Sequence, residues 1–312
     1  MPRPTAAAPF WGFWRSGRTS RFTLRVLIVH GATLGTSLFD LPARGYSLVD
    51  ELANAGRPVY ALDIRGFGRS LGGEVMAAPA QANSPYARLP DAAVDVRTAV
   101  NFILAQESCA KLDLLGFSWG TVTTAYLAAQ APALVNRLVL YAPLYAGRNE
   151  EWLDRIADPS DRTKVNPSIG AYRYVAATDL VERWNKDLGG RPVNDAREPY
   201  IPQLIFDALA VLDPMSLARS PAQFRCPTGA LADLVEVFNG KPLYDPARLT
   251  MPTYLIRGAE DTTSTHADAL NLFQRIASPR KDYRVITSGS HFLCVERNRL
   301  ALYDGINRFL AA

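Results

Sequence analysis

The sequence predicts an α/β fold with a mostly parallel central sheet, helices on both faces of that sheet and an inserted helical segment. From residue 25 onwards, short aliphatic runs alternate with longer helical patterns, an order typical of a parallel sheet covered by helices. The runs are largely apolar, as expected for strands buried on both faces. The alternation stops near Pro143 and resumes at Met251, which predicts an insertion between two strands.

Strands and helices are predicted from the spacing of apolar residues. The short apolar runs predicted as strands cover residues 26–29, 59–62, 112–115, 138–141, 253–256 and 283–286. In residues 91–106, Val96, Val100 and Ile103 recur at helical spacing, which indicates an amphipathic helix packed on the sheet. Similar patterns predict helices over residues 47–55, 119–130, 266–276 and 297–310.

The segment between the fourth and fifth predicted strands differs in character from the rest of the chain. It is rich in aromatic residues and is interrupted by prolines, and its helical patterns cover residues 174–188, 200–212 and 229–238. We therefore predict a core formed by residues 1–146 and 248–312, with residues 147–247 as a helical cap.

Charge does not indicate a nucleic-acid partner. The net charge is +4, but the 34 Lys and Arg residues are scattered among 30 Asp and Glu, whereas nucleic-acid binding requires basic residues gathered on one element. No stretch approaches the roughly 20 apolar residues of a membrane span, and the N-terminal residues lack the pattern of a signal peptide. The sequence thus predicts a cytoplasmic protein without a membrane partner, and it does not indicate a homo-oligomer.

Cysteine and histidine spacing predicts neither a disulfide framework nor a metal site. The three cysteines, Cys109, Cys226 and Cys294, are widely separated and form no C-x-x-C pair. We expect no metal and no cofactor.

The strongest chemical signal is the motif Gly116-Phe117-Ser118-Trp119-Gly120. It follows a predicted strand and precedes a predicted helix, which is the context of the G-x-S-x-G nucleophile elbow. Glycines are needed at this sharp turn because a Cβ would crowd the neighbouring elements. Ser118 is therefore the candidate nucleophile, at the N-terminus of a helix whose dipole favours developing negative charge.

A serine hydroxyl needs a base, and the chain offers His30, His266 and His291. His291 follows the last predicted strand and lies at the carboxyl edge of the sheet, where the elbow also lies. His30 ends a strand, which favours a structural role, and His266 opens a helix, which favours capping or solvent exposure. His291 is the candidate base.

The base needs a carboxylate that fixes its tautomer, and the loop after the strand 253–256 supplies two. Asp261 is the predicted partner because the order Ser, Asp, His along the chain is that of one large group of serine hydrolases. Glu260 stays open as the alternative, since neighbouring side chains in an irregular loop cannot be ranked from sequence.

These motifs together resemble the α/β-hydrolase superfamily, and in particular its capped, carboxylesterase-like serine hydrolases. The resemblance rests on His30-Gly31, the stretch 63–70, the serine elbow, Asp261 and His291. It implies an oxyanion hole formed by the backbone N–H groups of Ala32 and Trp119. The chain departs from the family before residue 26, where little room is left for the usual N-terminal antiparallel strands.

In this superfamily the cap covers the active site, and its aromatic side chains line an apolar pocket. The cap predicted here carries several aromatic residues, and Phe39-Asp40-Leu41-Pro42, shortly after Ala32, is a candidate for the other wall of the pocket. The predicted substrate contacts are Phe39, Trp184, Phe206 and Phe292.

The resemblance implies a cofactor-free serine hydrolase that cleaves small to medium apolar carboxylic esters, with aliphatic polyesters as further candidate substrates. Prolyl iminopeptidases share the Ser-Trp-Gly of this elbow, so an aminopeptidase or amidase is an alternative. In that case a cap carboxylate would bind the substrate amino group, and the candidates are Glu182, Asp187, Asp195 and Glu198. A ligand-binding receptor on a hydrolase scaffold is a second alternative.

Overall fold

The computed structural model describes residues 13–16, 24–70 and 72–312, and for residues 13–16 it describes the backbone alone. Most of its strands coincide with the apolar runs of the sequence. The strands are β1 (Phe13–Ser16), β2 (Val26–Val29), β3 (Val59–Leu62), β4 (Leu112–Phe117), β5 (Val135–Tyr141), β6 (Tyr172–Val175), β7 (Phe224–Pro227), β8 (Thr253–Gly258) and β9 (Lys281–Ile286).

Seven of these strands form the central sheet, in the order β1-β3-β2-β4-β5-β8-β9. Strands β2, β3, β4, β5, β8 and β9 pair in parallel, and only β1 is antiparallel, against β3. The predicted parallel sheet is confirmed. The antiparallel edge strand β1 exists although the sequence before residue 26 leaves little room for it.

The described residues form eleven α-helices, several of which pack against the sheet. They are α1 (Leu48–Asn54), α2 (Gly73–Ala77), α3 (Leu89–Gln106), α4 (Trp119–Gln130), α5 (Glu150–Ile156), α6 (Ala177–Asp187), α7 (Val193–Ala196), α8 (Ile201–Ala210), α9 (Gly229–Phe238), α10 (His266–Arg275) and α11 (Arg299–Ala311). Helix α4 contacts β4 and β5, and α11 contacts β8. None of the helices that the structure describes is long and apolar enough to span a bilayer.

Burial of the strands differs between the middle of the sheet and its edge. Every residue of β2, β3, β4 and β8 is buried, as the apolar runs predict. Strand β9 is an edge strand in which Ile286 alone is buried and Val285 is 38% exposed, so the prediction of burial on both faces is wrong for residues 283–286. An apolar run therefore indicates a strand here, but it does not show whether that strand lies inside the sheet.

Helices α5 to α9 and strands β6 and β7 lie between β5 and β8, in the segment predicted as a cap. The prediction of helix from residue 174 is wrong for the first residues, because Tyr172–Val175 pairs antiparallel with Phe224–Pro227. A strand partner so distant in sequence leaves no local signal. Helix α6 begins at Ala177, where the Asp179 carboxylate accepts the N–H of Ala176 at 2.7 Å.

One hydrophobic cluster joins this inserted segment to the sheet. Leu153, Trp184 and Phe206 of the inserted segment belong to the same buried cluster as Leu114 of β4. The domain division itself stays a prediction.

Candidate active site

Ser118 lies in the sharp turn between β4 and α4. Its backbone has φ 55° and ψ −122°, a conformation that costs a non-glycine residue free energy and is found mainly at functional sites. A Cβ on Gly116 would come within 2.3 Å of the carbonyl oxygen of Gly120, and one on Gly120 within 2.4 Å of that of His30. The two glycines therefore allow the strand, turn and helix to pack closely enough to present Ser118.

Three side chains predicted from the sequence lie in one hydrogen-bonded chain. His291 Nε2 is 3.0 Å from Ser118 Oγ, and His291 Nδ1 is 2.8 Å from Asp261 Oδ2. A carboxylate can only accept, so Nδ1 carries the proton and Nε2 is left to accept from the serine hydroxyl. This arrangement can remove the hydroxyl proton as Ser118 attacks a carbonyl carbon.

Asp261 is held in its ionised form. Burial by itself would raise the pKa of its carboxyl, but the adjacent His291 and the N–H of Ser264 at 2.8 Å together lower that pKa below its ordinary value. The N–H of Thr263 also donates to Oδ1, at 2.9 Å. Two backbone donors and the imidazole thus fix the orientation of the carboxylate.

The structure separates the two acidic neighbours of this loop. Glu260 Oε2 is 2.8 Å from Arg191 Nη2, whereas Asp261 contacts His291. Of the two carboxylates left open by the sequence, only Asp261 reaches the histidine.

The other two histidines lie outside the hydrogen-bonded chain. His30 is fully buried, with Nδ1 2.7 Å from the carbonyl oxygen of Gly31 and Nε2 accepting the N–H of Ile64 at 3.0 Å. Burial lowers its pKa, which favours the neutral ring. His266 is exposed at the start of α10, where its Nδ1 lies 2.9 Å from the hydroxyl of Tyr283.

The loop after β2 lies directly beside the serine. A Cβ on Gly31 would be 3.0 Å from Ser118 Cβ, and Ala32 lines the same cavity as Ser118. Within the described part of the chain, neither the N–H of Ala32 nor that of Trp119 donates a hydrogen bond. Both N–H groups predicted for the oxyanion hole are thus without an internal acceptor.

Trp119 is fixed by a buried carboxylate that the sequence did not indicate. Its indole N–H donates to Asp233 of α9 at 3.1 Å, and Asp233 also accepts the N–H of Leu89 and the guanidinium of Arg88. Burial raises the pKa of Asp233 to about 6. The inserted segment therefore reaches the start of α4.

Two further buried carboxylates hold the histidine loop. Asp187 accepts the backbone N–H of His291 at 3.1 Å, and Glu296 accepts the hydroxyl of Ser290 at 2.6 Å. Asp187 is on the apolar face of α6, at helical spacing from the buried Leu180 and Trp184. An acid on an apolar stripe is a signal that could have identified Asp187, whereas nothing local distinguishes Glu296.

A cavity of about 270 Å³ lies over the serine, and we call it the Ser118 cavity. It is bounded on the sheet side by residues 31–34, Phe117, Ser118 and His291, and the inserted segment supplies most of its remaining lining. Of the predicted substrate contacts, Phe292 lines it.

The other three predicted contacts lie elsewhere in the described structure. Phe39 is fully buried against Phe117, and Phe206 packs on Phe224. Trp184 is stacked on Phe292, and its indole N–H donates to Glu296 at 2.8 Å. All three are buried in the hydrophobic cluster and are absent from the lining of the cavity, so the prediction that they contact substrate is wrong.

The structure also distinguishes the four acids that were considered as partners of a substrate amino group. Glu182 lines the cavity, whereas Asp187 is buried and already accepts from Arg183 at 2.9 Å. Glu198 pairs with Arg297 at 2.6 Å, and Asp195 lies outside the described lining.

Comparison with known proteins agrees with this architecture. A family model described as the alpha/beta hydrolase fold matches residues 25–298. No curated protein sequence matches the chain significantly.

Solved structures with a similar fold have low sequence identity. A bromoperoxidase from Bacillus anthracis is 18% identical with a TM-score of 0.64, covering 96% of this chain and 95% of that one. A thermophilic esterase from Thermogutta terrifontis is 19% identical with a TM-score of 0.63, with coverage of 96% and 93%. An enol-lactonase from Burkholderia xenovorans LB400 is 19% identical with a TM-score of 0.63, with coverage of 97% and 96%. At these identities the likeness establishes the fold alone.

Proposed function

The chain belongs to the α/β-hydrolase family, and on that premise we propose that it is a serine hydrolase that cleaves carboxylic esters through an acyl-enzyme intermediate. The observation that carries the proposal is the hydrogen-bonded chain from Ser118 through His291 to Asp261 beside a cavity. The residues 147–247 would act as the cap over that cavity. The proposed substrate is a small-molecule ester, and the reaction needs no cofactor.

The proposed reaction uses the same groups to form the acyl-enzyme and then to hydrolyse it. Ser118 Oγ attacks the ester carbonyl carbon while His291 takes the hydroxyl proton, and the N–H groups of Ala32 and Trp119 stabilise the oxyanion. His291 returns the proton to the leaving alcohol as the C–O bond breaks. Water then attacks the acyl-enzyme by the same route and releases the acid.

An aminopeptidase activity has less support. It requires a carboxylate that can bind the substrate ammonium, and Asp187 is buried and paired with Arg183. Glu182 lines the cavity, but the cavity also contains several cationic side chains. Ester hydrolysis requires no such carboxylate. A receptor without turnover would not need the complete set of nucleophile, base and acid.

The test is hydrolysis of p-nitrophenyl acetate, butyrate and octanoate, with proline and leucine p-nitroanilides in parallel. We expect turnover of the esters, an adduct of one fluorophosphonate per chain by intact mass, and loss of both in Ser118→Ala. Removing the nucleophile of such a triad lowers kcat by about a millionfold. Ser160→Ala, which changes an exposed serine of the inserted segment, is the matched control and retains full activity.

Two results would contradict the proposal. One is a folded wild-type protein that neither hydrolyses an ester nor reacts with the fluorophosphonate. The other is faster hydrolysis of the anilides than of the esters, which would favour the aminopeptidase.

A further inference from the structure

Three arginine side chains of the inserted segment line the Ser118 cavity. Arg155 comes from α5, Arg173 from β6 and Arg183 from α6. Lys186 also lines the cavity. Because these residues lie on three separate elements, their convergence is a product of the tertiary structure and does not follow from a basic run in the sequence.

Fewer acidic than cationic side chains line the cavity, among the residues that the structure describes. Asp179 and Glu182 are the acids among the described residues that line the cavity. The Asp179 carboxylate already caps α6 by accepting the N–H of Ala176. Arg183 pairs with Asp187 at 2.9 Å, and Lys186 lies 3.8 Å from Glu151, so the lining cations whose charge is left to account for are Arg155 and Arg173.

The guanidinium groups of Arg155 and Arg173 are held in place by contacts that leave their charge uncompensated. Arg155 lies over the ring of Trp152 at 4.8 Å from its centroid, and Arg183 at 5.6 Å. Arg173 Nη2 donates to Thr33 Oγ1 at 2.8 Å. Neither Arg155 nor Arg173 forms an ion pair within the part of the chain that the structure describes. Cation–π and hydroxyl contacts orient a guanidinium but leave its fork able to bind an anion.

Neighbouring positive charges act on Arg155. Arg155 keeps solvent access, but the surrounding protein desolvates its guanidinium and lowers its pKa, and the positive charges of Arg183 and Arg173 lower that pKa further. An anion bound by Arg155 and Arg173 would offset this repulsion.

Arg155 and Arg173 also lie where the Ser118 cavity meets a second cavity. An outer pocket of about 530 Å³ is lined by Pro79, Ile169, Tyr172 and neighbouring residues. It shares Trp152, Arg155, Arg173 and Tyr174 with the Ser118 cavity. A substrate that has its carbonyl at Ser118 and extends into the outer pocket would pass both arginines.

We propose that Arg155 and Arg173 bind an anionic group on the substrate, so that the preferred ester carries a carboxylate or phosphate on the part directed into the inserted segment. This inference rests on the proposed ester hydrolysis and specifies its substrate class. The arginine fork accepts either oxyanion in a bidentate manner.

The first experiment compares esters that differ only in a terminal carboxylate. The pairs are mono-p-nitrophenyl adipate with p-nitrophenyl hexanoate, and mono-p-nitrophenyl suberate with p-nitrophenyl octanoate, with spontaneous hydrolysis subtracted. We expect kcat/KM to be about 10-fold or more higher for the anionic member of at least one pair, because charge-assisted hydrogen bonds contribute that much. A wild-type enzyme that prefers the neutral member of both pairs would overturn the proposal.

Variants then locate the effect. Arg155→Gln and Arg173→Gln should each lower the ratio of anionic to neutral kcat/KM by about 10-fold, and Glu182→Gln should raise it. Arg162→Gln removes an arginine of the same segment that pairs with Glu150 and Asp154 and lies outside the described lining, so it leaves the ratio unchanged. If the Arg155 and Arg173 variants retain the wild-type ratio, the arginines do not select the substrate. Since the ratio is internal to each variant, partial misfolding does not affect it.

Ionic strength and inhibition provide the remaining readouts. Raising NaCl from about 0.1 to 1 M shortens the Debye length from about 10 to 3 Å, so the anionic preference should fall while the neutral rate changes little. Monomethyl adipate and butyl phosphate, tested as competitive inhibitors of hexanoate ester hydrolysis, distinguish a carboxylate site from a phosphate site.

Binding experiments distinguish failure of the proposed anion site from failure of the proposed ester hydrolysis. If no ester is hydrolysed, calorimetric binding of monomethyl adipate and butyl phosphate to Ser118→Ala still tests the cluster. Binding that is weakened by Arg155→Gln then supports an anion site in a protein that is not an esterase. If neither compound binds, the arginine proposal fails as well.

Discussion

At the scale of single residues, Glu260 and Asp261 show how strongly surroundings separate two neighbouring carboxylates. Glu260 is paired with Arg191 on the side of the inserted segment, whereas Asp261 is buried against His291 and two backbone N–H groups. The same chemical group thus forms a peripheral ion pair at one position and an orienting contact at the next.

We expect Asp261→Asn to lower kcat for p-nitrophenyl butyrate by about 10⁴-fold, because an amide cannot keep Nδ1 of His291 as the donor. Glu260→Gln is the matched control, and its kcat should stay within a few-fold of wild type. Steady-state kinetics at pH 7 measures both. Equal losses in the two variants would mean that the loop as a whole, and not the Asp261 contact, limits turnover.

At the scale of elements, α6 connects the inserted segment to the two loops that carry Asp261 and His291. Asp187, near the end of α6, accepts the N–H of His291 and the hydroxyl of Thr262. Arg183, one turn earlier, donates to Asp187 and to the hydroxyl of Thr263. Both the position of the Asp261 and His291 loops and their stability therefore depend on α6.

Asp187→Ala should lower the free energy of unfolding by about 3 kcal/mol or more, because it leaves Arg183 and the N–H of His291 without their acceptor. It should also lower kcat, since the His291 loop loses an anchor. Urea unfolding and ester kinetics measure these two effects. Asp304→Ala removes an exposed acid that pairs with Arg308 on α11 and should cost under about 0.5 kcal/mol. If Asp187→Ala and Asp304→Ala lower the free energy of unfolding by similarly small amounts, Asp187 does not anchor the His291 loop.

At the scale of the whole molecule, Asp233 joins three parts of the fold. It lies on α9 of the inserted segment, accepts from Leu89 at the start of α3, and accepts from Trp119 at the start of α4. Burial raises its pKa to about 6, above the ordinary value of 3.8 for an aspartate. The folded protein therefore retains a proton that the unfolded chain releases at lower pH.

Because the folded protein retains the proton on Asp233, its free energy of unfolding depends on pH. Between about pH 4 and 6 the folded state binds more protons than the unfolded state, so the stability contribution of Asp233 falls as pH rises. A shift of about two pKa units corresponds to about 3 kcal/mol. We expect the stability advantage of wild type over Asp233→Asn to shrink by up to that amount between pH 4 and 7, as measured by urea unfolding. An advantage that grows with pH would show that Asp233 is not desolvated in this way.

Much of the framework follows from the sequence because it depends on local constraints. The bounds of β2, β3 and α4 coincide with the apolar and helical patterns, since spacing along the chain determines which face is apolar. The elbow is recognisable because Gly116 and Gly120 leave no room for a Cβ. Ser118, Asp261 and His291 could be named because each follows the end of a strand, and parallel strands end at one edge of the sheet.

The tertiary structure alone decided what surrounds those residues. Asp187 and His291 are 104 positions apart, and Trp119 and Asp233 are 114 apart, so no local pattern links them. The same holds for the arginines of the Ser118 cavity, and for Trp184 and Phe206, whose aromatic character is compatible with either a pocket or a core. The sequence by itself determined the sheet and the candidate reactive groups, because strand and turn preferences act over a few residues. Only the fold decided which side chains line the cavity, because that depends on how elements distant in sequence orient toward one another.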